Sequence, residues 1–250
     1  MRTRLALLGV LFAVFTLLLG CSGQGIPGLP NVSLPGSSDP KEDIRKAAEA
    51  MRDAGSVRYE SSSTLGGQGG SSSLKVTGAF DFGKKLGEAR VEGFGPDAAL
   101  VITDGTTAYV QMPGQRHWFK SQLGELGVSP DVGKQIELLA DMDGIREVGT
   151  VDVRGVSTRH IAGSMDLQKV LSANGIPLQT LGAPPSGTAE VSIYLDSDGL
   201  LRRLEVTMPN TGPWAGTTTT DYFDYGADVS IQVPDPSQVQ EFTLPGMGGR

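Results

Sequence analysis

The chain of 250 residues contains one cysteine and two histidines, its aromatic residues amount to 6%, and its 21 basic residues fall short of its 28 acidic ones. Each shortage excludes a class of protein. One cysteine and two histidines cannot build a disulfide scaffold, a zinc finger or an iron–sulfur centre. A formal charge of −7 leaves no Lys/Arg excess to displace counterions from phosphates, which excludes a nucleic-acid binder. No apolar run reaches the ~20 residues that a bilayer-crossing helix requires. What is abundant is glycine, at 35 residues, and proline, at 15, alongside 38% apolar residues. This composition is too apolar for a disordered chain and too rich in Gly and Thr for a helical bundle.

The single cysteine follows an ordered N-terminal pattern. Arg2 and Arg4 form a basic start, and Leu5 to Leu19 is a 15-residue apolar run, which reads as a signal peptide over residues 1–20. The run ends in Leu18-Leu19-Gly20-Cys21, which resembles the bacterial lipobox. That resemblance implies cleavage after Gly20 and a thioether-linked diacylglycerol on Cys21. A chain so processed is held by its lipid at the extracytoplasmic face of the cell membrane, because each buried methylene contributes ~0.8 kcal/mol. Losing Arg2 and Arg4 leaves 19 basic against 28 acidic residues, a balance of −9, so the surface itself does not seek an anionic membrane. From Ser22 to Asp39, Gly, Pro and Ser occupy 11 of 18 positions, and residues 21–39 read as a lipidated linker.

Residues 40–245 read as one folded domain. Asp39-Pro40-Lys41-Glu42 has the form of a helix start, and Ile44, Ala47, Ala48 and Met51 recur at helical spacing until Gly55. The period then changes to two. Strands are expected over Val57–Ser63, Ser73–Phe82, Gly87–Gly93, Ala98–Thr103, Thr107–Met112, Trp118–Lys120, Thr150–Arg154, Thr158–Gly163, Thr188–Leu195, Leu200–Met208, Thr217–Tyr225 and Asp228–Val233. Asp104-Gly105 and Asp198-Gly199 supply tight turns, and the glycines from Gly66 to Gly70 a loose hairpin loop. Two further helices are expected, from Ser129-Pro130 to Asp143-Gly144 and from Asp166 to Ala173. This is an α+β pattern: one large, curved antiparallel sheet with helices on its concave face.

The chemistry of catalysis is missing. His117 and His160 have no metal-ligand spacing between them, there is no nucleophile elbow and no phosphate loop, and the one thiol is expected, from the lipobox resemblance, to be tied up in its thioether. Asp196-Ser197-Asp198-Gly199 resembles half a calcium loop, but Thr207 stands where a bidentate Glu is required. The chain therefore reads as a non-enzyme without a cofactor. It carries instead aliphatic alternating faces, Leu74/Val76/Phe80, Leu100/Ile102, Val191/Ile193 and Leu204/Val206, with Gly78, Gly93, Ala98 and Ala189 nearby. These either fill an ordinary core or line a cavity in which small residues leave room for acyl chains. A mobile Gly/Pro loop, Gly175 to Pro185, carries Ile176, Leu178 and Leu181 as cap contacts or a gate.

Several stretches carry a wider resemblance: the Asp43 to Ala48 helix, VRGVSTRHIAGSMDLQKVL (Val153–Leu171), VSIYLDSDGLLRRLEVTM (Val191–Met208) and TTTTDYFDYGADVSIQVPDPSQV (Thr217–Val239). With the lipobox and linker they resemble the actinobacterial LppX/LprG lipoprotein family, which is related to the LolA/LolB lipoprotein carriers. The resemblance implies a half-open β-barrel with helices over its concave side and a hydrophobic cavity between. It also implies an acylated lipid or glycolipid as ligand, transport toward the outer envelope, and an envelope transporter or acceptor as partner. Arg116, His117 and Trp118 are then the rim residues that would select the head group. The alternative from a different class is a structural or regulatory lipoprotein acting through protein–protein contacts, with its cavity filled.

Overall fold

The computed structural model describes residues 39–67, 70–93, 95–123, 132–168, 187–208 and 215–241. The expected signal peptide, Cys21, the linker up to residue 38, the Gly175–Pro185 loop and the helix beyond residue 168 lie outside these.

Helix α1 spans Pro40–Asp53. Asp39 caps it, its carboxylate accepting the Lys41 N–H at 3.0 Å, and Pro40 occupies the first turn, where no N–H is needed. Its stripe of Ile44, Ala47, Ala48 and Met51 is completely buried. Strands β1 (Ser56–Gly67), β2 (Gly70–Asp81), β3 (Leu86–Glu92), β4 (Ala99–Asp104), β5 (Thr107–Gln111) and β6 (Trp118–Gln122) come next. A short helix α2 (Val132–Leu138) and a 3₁₀ turn (Leu139–Asp141) separate them from β7 (Asp143–Val153), β8 (Val156–Asp166), β9 (Thr188–Leu195), β10 (Leu201–Met208), β11 (Gly216–Phe223) and β12 (Val239–Glu241). All twelve belong to one open sheet in the order β12-β6-β5-β4-β3-β2-β1-β11-β10-β9-β8-β7.

The pairing is antiparallel except where β12 joins β6. That exception corrects one expected element. Segment 228–233 is not a strand: it crosses the sheet with Val229 and Ile231 buried against Ala79 and Ile102, and its alternation marks burial on a sheet face rather than pairing. The crossing carries the chain from β11, in the middle of the sheet, to its β6 edge. Other differences are of length. β7 begins at Asp143 rather than Thr150, directly after the expected helix end, β8 extends to Val156–Asp166, and β1 and β2 pair to Gly67↔Gly70, so the loose loop closes to two residues.

The two sheet faces differ in kind. The face that carries α1 is apolar. The opposite, outer face is bound by an ion-pair ladder: Lys75 meets Glu60 at 2.6 Å, Arg154 lies 3.4 Å from Glu60 and 3.6 Å from Asp221, and Arg203 grips Asp221 through two bonds of 2.6 and 3.0 Å. The Lys75 hydrogen bond holds the Glu60 carboxyl below the usual carboxylate range.

Candidate functional site: the inner face of the sheet

Cross-strand register determines which side chains share the inner face, because directly opposed residues point the same way. Val191 opposes Val206 and Ile193 opposes Leu204, and α1 with the Ile136/Leu139 turn packs on them. Arg159 on β8 ties this layer down, pairing with Asp43 of α1 and with Glu147 at 3.1 Å, while Arg52 meets Glu137 at 2.6 Å between the two helices. This is the first half of the face, and it is a helix-covered core.

The second half is built by β2 to β5. Leu74, Val76, Ala89, Val91, Ala99, Val101, Val110 and Met112 form a separate buried cluster, joined at its border by Tyr59 and Phe119. Among the described residues, none of α1 or α2 belongs to it. Between the halves runs a buried hydroxyl band on β1 and β11, where Thr218 donates to Ser63 at 2.6 Å and Thr220 to Ser61 at 2.9 Å. Tyr222 closes the band, its buried hydroxyl without a hydrogen-bond partner. Burial pushes the Tyr59 and Tyr222 hydroxyls well above the ordinary tyrosine range.

Seven of the nine residues expected to line one cavity share this face. Val191, Ile193, Leu204 and Val206 lie under the helices; Leu74 and Val76 lie in the second half; Phe80 is half-buried against the helix-covered core. Leu100 and Ile102 do not join them. They oppose Arg90 and Glu88, whereas Ala99 and Val101 oppose Val91 and Ala89, so the expectation placed them one residue out of phase and they face outward. The physical cause is a run, Ala99 to Ile102, that is apolar on both faces, where alternation is silent.

The small residues also serve a different end. A methyl on Gly78 would meet the Glu88 carbonyl at 2.2 Å and the Tyr59 hydroxyl at 2.5 Å, because the tyrosine ring crosses this glycine to donate to that carbonyl at 3.1 Å. At Gly87 the Phe80 ring fills the equivalent space, and at Gly93 the Ser73 carbonyl does. These positions admit neighbouring groups rather than a ligand. Ala189 is buried within the helix-covered core.

The expected rim divides likewise. Trp118 packs on the outer face against the Ala79/Ile102 cluster, while the His117 ring meets Phe119 edge-on at 5.1 Å. His160 is on the outer face, stacked on Tyr194 at 4.5 Å with its Nε2 2.9 Å from the Ser192 hydroxyl. Burial, and then Arg146, lowers its pKa. Asp196 works as a turn residue: its carboxylate accepts the N–H groups of Asp198 and Leu200, both at 2.9 Å, and meets Arg202. Among the described residues no group of metal-ligating side chains comes together.

No protein-family model matches the chain. An uncharacterised 31.2 kDa protein of Streptomyces griseus is 31% identical over 153 residues, covering 52% of this chain and 49% of that protein. The chain thus spans about half the length of this curated relative. Among solved structures, the lipoprotein LppX of Mycobacterium tuberculosis matches 78% of this chain and 100% of its own, with a TM-score of 0.55 at 15% identity. LprF from Mycobacterium bovis matches 80% of this chain and 99% of its own, with a TM-score of 0.49 at 17% identity. The chain has the fold of LppX, and the likeness read in its sequence is a likeness of fold.

Proposed function

We propose that this chain is a non-enzymatic envelope lipoprotein that binds an acylated lipid or glycolipid against the β2–β5 half of its inner face and carries or presents it. One observation supports this reading above others. An aliphatic layer of Val76, Ala89, Val91, Ala99, Val101 and Val110 stands in an LppX-like sheet with no contribution from the described residues of either helix. Acyl chains suit such a layer, since each buried methylene contributes ~0.8 kcal/mol and the lining offers no charge that a ligand must satisfy. The hydroxyl band beside it, with the unpartnered Tyr222, offers neutral hydrogen-bonding groups for an ester or a sugar. The lipid on Cys21 would hold the protein at the extracytoplasmic face of the membrane, within reach of an envelope transporter or acceptor.

Native mass spectrometry followed by lipid extraction, on the chain expressed from Ser22 onward, tests the reading. A stoichiometric acylated species is the expected result. A protein that is empty, and takes up nothing from an envelope lipid extract, overturns it in favour of an interaction lipoprotein. That second reading has its own support in the aromatic rings that occupy the space over Gly78 and Gly87.

A further inference from the structure

Segment 227–235, which straps the outer face, leaves a groove of about 630 Å³ along one side. Its floor is Thr77, Ala79, Glu88, Arg90, Leu100 and Ile102, and Arg58, Trp118 and the strap itself close its sides. Three features of this groove concern a ligand rather than the fold. The first is backbone: among the described residues, the strap's 229–233 N–H and C=O groups take part in no hydrogen bond, though burial alternates along 229–232 as it does in extended backbone and the Val229 and Ile231 side chains are fixed on the sheet. An extended, anchored and unpaired segment is a template for one more strand.

The second feature is charge. In a chain with a net charge of −7, two guanidiniums and one carboxylate line this groove. Arg58 reaches only the Asp228 carbonyl, at 3.5 Å, and Arg90 meets Glu92 at 2.9 Å in a pair that is half exposed on both sides. Exposed pairs of this kind hold weakly, whereas a carboxylate entering a sheltered groove can take a guanidinium through two parallel bonds. The third is apolar surface. Leu100 and Trp118 remain partly exposed in the groove, and Val233 at the end of the strap is 40% exposed.

The geometry points to the groove as a docking site for an extended segment of a protein partner, which adds to the strap as a strand and places an acidic side chain between Arg58 and Arg90. The binding mode accounts for all three features together: the partner's backbone satisfies the strap, its carboxylate meets the guanidiniums, and its alternate apolar side chains cover Leu100, Trp118 and Val233. The site is on the opposite face of the sheet from the proposed lipid layer, so the two can be tested separately.

A displayed library of random heptapeptides selected on the full chain in detergent supplies the probe. Trp118 emission, read in a Trp214→Phe background, reports occupancy. The expected result is a set of peptides with one acidic residue among β-branched or aromatic ones, which shift that emission. They should lose at least tenfold in affinity against Arg58→Glu/Arg90→Glu, and likewise against Ser230→Pro, which removes a strap N–H while circular dichroism verifies the fold. Failure to enrich any peptide, or affinities that both variants leave unchanged, overturns the proposal. So does an emission shift produced by vesicles containing phosphatidylglycerol but by no peptide, which would assign the groove to a membrane surface. The lipid content of the same preparation is measured independently and bears on neither outcome.

Discussion

Gly78 and Tyr59 show how much one missing methyl controls. The ring of Tyr59 lies over Gly78 and joins three strands, β1 to β3, through its bond to the Glu88 carbonyl. A Cβ at Gly78 meets backbone at 2.2 Å, which no side-chain adjustment relieves. Gly78→Ala should therefore cost about 3 kcal/mol in denaturant unfolding, near the top of the range for overpacking. Tyr59→Phe, which keeps the ring and deletes one hydrogen bond, should cost about 1 kcal/mol. His160 makes a pH prediction. Its folded pKa is lowered, first by burial and then by Arg146, so between the folded and unfolded values the unfolded chain binds the extra proton. Stability is then complete above the unfolded value of about 6.5 and is lost as pH falls below it. The melting temperature should drop between pH 7.5 and 5.5, and His160→Gln should reduce that drop. At this scale the sequence said of His160 only that no metal-ligand spacing joins it to His117. It was misleading for Gly78, because a glycine in a strand signals close approach without saying whether a ring or a ligand approaches.

The elements with local signals were the legible ones. Asp39, Pro40 and Gly55 mark both ends of α1, and its apolar stripe is the one that is buried. Met51→Ala should cost about 2–4 kcal/mol by chemical denaturation, as a fully buried methionine truncated to a cavity, while Glu49→Ala on the exposed side should stay within about 0.5 kcal/mol. An equal effect of the two would show that the stripe is not the packed one. Elements whose pairing is non-local were harder to see. Val229 and Ile231 alternate as a strand does, but only the sheet beneath them reveals that they cross it as a strap. β12, three residues long, has no pattern that length can display. At the opposite margin β7 departs from regular pairing between Asp143 and Arg146 and again between Glu147 and Gly149. Such irregularities protect an edge that exposes Val148 and Val151 from pairing with other chains.

Across the whole molecule, a charged outer face and an apolar inner face would let one sheet serve the two kinds of partner proposed for it. The ladder from Lys75 through Glu60, Arg154 and Asp221 to Arg203 keeps the outer face in water, while the inner face must find apolar cover. On its first half α1 supplies that cover, while the second half is buried without a described residue of either helix in its cluster. The sequence announced the aliphatic face through alternation but could not phase the Ala99 to Ile102 run, and the smaller pair, Ala99 and Val101, faces inward. That smallness permits a decisive substitution. Ala99 is fully buried in the second cluster, and Ala99→Phe adds a ring where an acyl chain would lie. If the layer holds lipid, the variant should fold, with the lipid-to-protein ratio in extracts falling several-fold, because the ring takes the place of part of the ligand. If the layer is an ordinary filled core, the same ring has nothing to displace and should cost about 1–3 kcal/mol of stability, with no lipid in either protein. Leu100→Ser, one residue away on the opposite face, should leave the lipid ratio unchanged, and a loss there equal to that of Ala99→Phe would place the ligand on the wrong side of the sheet for this reading.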